Sequence, residues 1–222
     1  MKKINIGLIG FGNIGSGVVK ILRDKKALLS EKTGLDINIR KICDQDITSK
    51  RSVSVDKSLL TRNPKDIIED PQIDIMVELI GGINPAREFI AQALKRGKNI
   101  VTANKALLAT HGQELFLEAN GRGKNIYFEA SVGAGIPIIK SLREGLVANK
   151  FNSILGILNG TSNYILSSMS KEKRTFSEAL KEAKNKGFAE KDPTLDIEGM
   201  DSAHKLILLT YLSFGRLVNI ED

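Results

Sequence analysis

Apolar positions in the first half of the chain alternate between short dense runs and longer runs with a helical period. INIGLI (4–9), INIRKIC (37–43), IDIMVELIGG (73–82) and NIYFEA (125–130) read as strands, and NIVTANKALLATHG opens as a strand before Asn104 and continues as a helix. Between them, VVKILRDKKALL and PAREFIAQALKRG carry helical spacing, the second with Pro85 near its first turn and Gly97 as its stop. Residues 61–71 read as a loop and a short helix. Strands alternating with helices in this way predict an α/β domain built on a parallel sheet.

The rhythm breaks at SVGAGIPIIKSLREGL, where Gly133, Gly135 and Pro137 mark an irregular segment and place a domain boundary, 1–136 before it and 137–222 after. Beyond it FNSILGIL (151–158) reads as a strand, NGTSNYILSSMS as the start of a helix, and TFSEALKEAKNKG as a second helix. The latter has a Thr175-x-x-Glu178 capping box and Gly187 as its stop. The stretch from Gly187 to Lys205 then gathers Glu190, Asp192, Asp196, Glu198 and Asp201 into a loop broken by Gly and Pro. Asp201, Lys205, Leu208 and Leu212 share one helix stripe, which puts the lysine at the polar end of an apolar face. An exposed ion pair there would contribute only ~0.3–0.5 kcal/mol; a walled functional cleft explains the pattern better.

Chemistry enters first at GFGNIG (10–15), which stands between the first strand and a helix as a dinucleotide fold requires. Gly10 permits a tight turn, Gly12 lets a pyrophosphate approach the backbone, and Gly15 lets the helix pack on the strand. The helix N-terminus offers free N–H groups to phosphate. Asp44, ending the second strand, suits the ribose 2′-OH of NAD, whereas Arg40, Lys41 and Lys57 suit the 2′-phosphate of NADP. The signals conflict, with NADP slightly favoured. Lys105 follows a strand at its carboxyl end, where ligands bind in open α/β sheets, and a cation at a helix start is otherwise disfavoured.

Composition narrows the classes. The 222 residues are 41% hydrophobic and 27% charged, ordinary for a globular protein with a real core. No run approaches the length of a membrane span, the N-terminus lacks a signal-peptide layout, and Cys43 is the single cysteine, so the expected setting is cytoplasmic. The net charge of +7 raises nucleic acid as a partner, but the lysines are spread over helices and no aromatic-basic ribbon accompanies them, so none is expected. His111 and His204 are too isolated for zinc and read as helix-surface or capping residues.

With these pieces in place, the sequence resembles the homoserine dehydrogenase family in GFGNIG (10–15), ELIGG (78–82), VTANKALLA (101–109), EASVGAGIPII (129–139), LNGTSNYIL (158–166) and GFAEKDPTLDIEGMDSAHKL (187–206). The resemblance implies a Rossmann-type doubly wound parallel sheet followed by a partial α+β substrate and dimerisation domain. It implies NAD(P)-dependent interconversion of L-homoserine and L-aspartate 4-semialdehyde on the route to threonine and methionine. Lys105 and Lys205 match the family's paired lysines, and Glu190 and Asp201 its substrate-binding acids, with Asp196 close by and Gly187 contributing backbone. The cofactor-binding set is Gly10, Phe11, Gly12, Asn13, Ile14 and Gly15, with Arg40, Lys57, Gly82 and Lys105. A sodium ion on main-chain oxygens of Glu129, Val132, Ala134 and Ile136 is likewise implied by the resemblance.

The residue chemistry agrees with that activity. An ammonium-bearing substrate needs carboxylates, and aldehyde reduction needs a hydride and a proton for the developing alkoxide. A lysine brought towards neutrality by a second cation and desolvation can supply that proton; Lys205 is the expected donor, with Lys105 polarising the carbonyl and fixing the nicotinamide. Cys43 reads as a core residue, which argues against a thioester-forming aldehyde dehydrogenase. Family members run well past the Lys205 helix, so the resemblance implies a truncated chain and a homodimer only if the remainder is present. The alternative is a catalytically incompetent NAD(P)-binding module.

Overall fold

The computed structural model describes residues 1–221; the chain divides into two compact units, Met1–Ser131 and a second that begins at Val132. In the first, β1 (Lys2–Ile9) leads through the glycine turn into α1 (Asn13–Asp24) and α2 (Lys26–Thr33), and β2 (Leu35–Cys43) returns beside it. Then follow β3 (Leu60–Thr61), α3 (Lys65–Ile68), β4 (Ile75–Glu78), α4 (Ala86–Lys95), β5 (Asn99–Thr102), α5 (Lys105–Gly121) and β6 (Ile126–Tyr127). The six strands form one sheet in the order β3-β2-β1-β4-β5-β6, all neighbours parallel. This is a Rossmann-type doubly wound sheet, and its order reverses between β1 and β4, where such sheets open a crevice at their carboxyl edge.

The strand runs become β-structure because their Ile, Leu and Val side chains are wanted on both faces. Ile6, Leu8, Phe11, Val19, Ile42, Val53 and Val77 form one buried cluster around the central strands. IDIMVELIGG forms a strand only over Ile75–Glu78. Past it Leu79 N–H still donates to Ile9 O, but Ile80 and Gly81 N–H turn to the Glu78 carboxylate and leave the ladder. NIYFEA is likewise shorter than expected, because the strand stops at Tyr127 and Glu129–Ser131 winds into a 3₁₀ turn.

The second unit begins with α6 (Ile138–Lys140) and a π turn at Ser141–Gly145. It continues with α7 (Gly160–Glu172), α8 (Phe176–Asn185), α9 (Thr194–Ile197) and α10 (Met200–Phe214). Ile165 of α7 packs on Ala179 and Ala183 of α8 and on Ala189, small residues that let the two helices approach closely. The Thr175–Glu178 capping box forms with both of its hydrogen bonds. FNSILGIL is not a strand: among the described residues of this unit no strand lies beside it to take its N–H and C=O groups, and Leu155 and Ile157 stand in solvent, 94% and 75% exposed. His204 is also not a surface residue; it is buried on α10 beside Ile207, Leu208 and Leu209.

Candidate functional site

In the first unit the carboxyl ends of β1, β2 and β4 enclose a groove of about 460 Å³, lined among others by Gly10, Gly12, Asp44, Gln45, Arg62 and Gly81. The turn glycines are there for two different reasons. A Cβ on Gly15 would lie 2.1 Å from Gly10 O, and one on Gly10 would press on the Leu79 carbonyl at 2.7 Å, so both are required by packing. A Cβ on Gly12 would meet nothing within 4 Å, so packing does not require this glycine, and its bare backbone borders the groove. Gly12 is also the N-cap of α1 and makes no side-chain cap, which leaves the first N–H groups of a 12-residue helix facing outward. Asn13 and Ile14 are exposed on that first turn, whereas Phe11 is buried beneath it. A dinucleotide fits this cradle.

Asp44 is tied into the turn. One oxygen accepts the Phe11 N–H at 2.5 Å and the other the Asp46 N–H at 2.9 Å, with the Arg51 guanidinium 3.7 Å away. Arg62 reaches the groove and donates to Gln45 O at 3.2 Å. Arg40, four residues before Asp44 on β2, is instead paired with Asp70 at 2.7 Å and does not line the groove. Lys41 donates to Ser58 O, and Lys57 is exposed at the start of a 3₁₀ turn. Cys43 is buried, and desolvation pushes its thiol up to about 11, well outside the range of a reactive cysteine.

Lys105 is the first residue of α5, half-buried, directly after the cap Asn104 whose side-chain oxygen accepts the Leu107 N–H. Gly82 lies at φ +71 and its carbonyl accepts the Asn104 amide at 2.6 Å. Four residues expected around a cation take these positions: Glu129 sits in the 3₁₀ turn, Val132 is buried, and Ala134 and Ile136 are exposed, with Ile136 O already accepting the Ile138 N–H.

In the second unit the acidic stretch is latched onto the first turn of α7. Thr161 donates to Phe188 O and Ser162 to Asp196 O, while the Asn159 amide donates to Asp196 Oδ1 at 2.6 Å and Asp201 Oδ2 at 2.8 Å. Asn159 Oδ1 meanwhile caps α7 by accepting the Ser162 N–H at 2.8 Å. Lys205, one turn after Asp201 on α10, donates to Asp201 Oδ2 at 2.5 Å and to Leu158 O at 2.7 Å. The pair is well sheltered, its side chains 18% and 12% exposed. Asp196, Asp201 and Lys205 are thus brought together, and the positive end of the α7 dipole faces the two acids. Glu190 and Gly187 stand exposed in the same loop, outside this hydrogen-bonded cluster. The residue that sequence reasoning passed over is Asn159, whose only local signal is its place as the helix cap.

Family models for homoserine dehydrogenase match this chain twice: its NAD binding domain over residues 10–129, and the homoserine dehydrogenase domain itself over 137–222. The chain belongs to the homoserine dehydrogenase family. It is 46% identical to the homoserine dehydrogenase of Bacillus subtilis over 222 residues, all of this chain and 51% of that protein. The crystal structure of a homoserine dehydrogenase from Thiobacillus denitrificans superposes with a TM-score of 0.89 at 46% identity, covering 100% of this chain and 51% of that one. A hyperthermophilic archaeal homoserine dehydrogenase in complex with NADPH matches at 31% identity and TM-score 0.82, over 97% of this chain and 71% of its own. The chain spans about half the length of the curated relatives it matches. Among the described residues no helix is long and apolar enough to cross a membrane, and no group of three His, Cys, Asp or Glu side chains is placed to hold a metal ion.

Proposed function

We propose that this chain carries the cofactor domain (1–136) and the first part of the substrate domain (137–222) of a homoserine dehydrogenase. The reaction is the interconversion of L-homoserine and L-aspartate 4-semialdehyde. The observation that carries the reading is the sheltered Asp201–Lys205 pair, fixed by Asn159 and Leu158, in a chain of this family. Lys205 Nζ is held by its donations to Asp201 and Leu158 O, and the role assigned to it is proton donor to the reacting oxygen. Asp201 and Glu190 accept the substrate ammonium, with Asp196 buttressing Asp201 through Asn159 and Gly187 giving the loop its turn at φ +77. Lys105, from the carboxyl edge of the sheet, polarises the carbonyl and fixes the nicotinamide. The bound cofactor supplies or takes up the hydride.

NADP is slightly favoured over NAD: Asp44 has both oxygens engaged within the turn, and Arg62 stands at the groove. Arg40 and Lys57 remain candidate contacts to the 2′-phosphate, though Arg40 would first leave Asp70. Main-chain oxygens of Glu129, Val132, Ala134 and Ile136 form the sodium site; neutral carbonyls suit a hard cation, and the positive φ of Gly133 (+60) and Gly135 (+91) supports the sharp turns it needs. The proposed setting is the cytoplasm and threonine and methionine biosynthesis, with a homodimer where the remainder of the substrate domain is present.

A second reading, a module that binds NAD(P) without turning over substrate, draws on the chain's half-length match and the unpaired 151–158 segment. Titration with NADPH followed by a homoserine oxidation assay decides between them. Binding with turnover supports the dehydrogenase, binding without turnover supports the module, and absence of both overturns the two together.

A further inference from the structure

Glu78 is a buried carboxylate that the chemistry above does not use. It ends β4 and is 0% exposed, and no cation pairs with it among the described residues. Burying a lone carboxylate is expensive unless its oxygens are well supplied with donors, and an apolar residue would fill the same space at no such cost. Glu78 Oε1 accepts the N–H groups of Ile80 (2.8 Å) and Gly81 (3.3 Å), and Oε2 accepts the Thr102 hydroxyl at 2.7 Å. Thr102, 1% exposed at the end of β5, accepts in turn the Asn104 N–H at 3.0 Å, and Asn104 donates back to Gly82 O.

The hydrogen bonds close a ring through the ends of two neighbouring strands. One side of the ring is the 79–82 loop, whose Leu79, Ile80 and Gly81 line the groove and against which Gly10 packs without room for a methyl group. The other side is the cap that begins α5 and therefore sets where Lys105 leaves the sheet. We infer that Glu78 is a positioning residue: acting through Thr102 and Asn104, it holds the glycine loop of the cofactor groove and the Lys105 turn in one fixed register. The part concerning Lys105 rests on its proposed role in the reaction; the part concerning the groove does not.

The test uses Thr102→Val, which has nearly the same shape and severs the ring, and Glu78→Gln, which keeps acceptor geometry towards the loop but loses the charge. Ile126→Val, in the buried part of β6, is the control for a general loss of stability. NADPH affinity and thermal midpoint are measured for each, and kcat and the homoserine KM wherever the parent turns over. The expected result is a rise of roughly tenfold or more in NADPH Kd for Thr102→Val, the loss associated with one charge-assisted hydrogen bond. Glu78→Gln should show a smaller rise, and Ile126→Val none. Turnover should fall with homoserine KM nearly unchanged. If both ring variants fold and bind NADPH as the parent does, the inference is wrong; if Glu78→Gln does not fold, Thr102→Val decides alone. A parent that binds NADPH but does not turn over would sink the dehydrogenase reading while leaving the groove arm of this test intact.

Discussion

Asn159 offers a quantitative test of how the acidic stretch is held. Its side chain is 7% exposed, caps α7, and bonds two carboxylates at 2.6 and 2.8 Å. Replacing it with alanine removes the cap, worth about 1 kcal/mol, and two hydrogen bonds to charged groups, each about 1.5 kcal/mol at the low end that half-exposed Asp196 warrants. The expected loss for Asn159→Ala is therefore about 4 kcal/mol, a large share of a domain stability of roughly 5–15 kcal/mol. Asn159→Asp separates the two roles, because aspartate caps a helix as well as asparagine does but turns both donor bonds into like-charge contacts. The introduced carboxyl then has its folded pKa raised above the ordinary value near ~3.9. Stability is retained below that value and lost as pH rises through the raised folded pKa. The chain has no Trp, so urea unfolding is best followed by far-UV circular dichroism. An Asn159→Ala variant within about 0.5 kcal/mol of the parent, or an Asn159→Asp variant with no added pH dependence between about pH 4 and 8, would refute the argument.

Gly12→Ala should fold normally, since a Cβ there meets nothing, yet lose NADPH affinity about tenfold or more; Gly15→Ala should fail at folding, with its Cβ 2.1 Å from Gly10 O. Calorimetry with and without NADPH distinguishes these outcomes. Lys98 is 2% exposed, donates to Asp70 O and Ile73 O, and has its pKa lowered by desolvation. The unfolded chain therefore holds that proton more tightly, so stability rises with pH in the interval just below the ordinary lysine value of about 10.4. Lys98→Met should abolish that part of the slope in a series of urea titrations. With its thiol raised to about 11, Cys43 should be roughly one-thousandth thiolate at pH 8 and resist iodoacetamide until the protein is unfolded; rapid labelling of the native chain would contradict its placement.

What the sequence could and could not reveal follows the range of the interactions involved. β1 and the glycine turn are local features, each set by residues within a few positions, and they form where periodicity puts them, whereas the single helical run expected over 18–29 is broken at Lys25 (φ -110) into α1 and α2. The Asp201–Lys205 pair is legible for the same reason, being one turn apart on α10. The end of β4 is not, because whether Ile80 and Gly81 continue a ladder depends on where the Glu78 side chain points. The role of Asn159 lies in contacts to Asp196 and Asp201, 37 and 42 residues away, which no local pattern encodes. The segment 151–158 has strand composition, but a strand also needs a neighbour, and composition does not provide one. Arg40 lies on β2 as its sequence predicts, but four steps of ~3.3 Å along the strand separate it from Asp44 at the groove end.

The central claim, that the sheltered lysine of the second unit moves the proton, is tested most directly by homoserine-dependent formation of NADPH in the parent and in Lys205→Ala across a range of pH. The account predicts a fall of about 10²-fold or more in kcat with NADPH binding retained. Near-normal turnover of Lys205→Ala with an unchanged pH profile would contradict it.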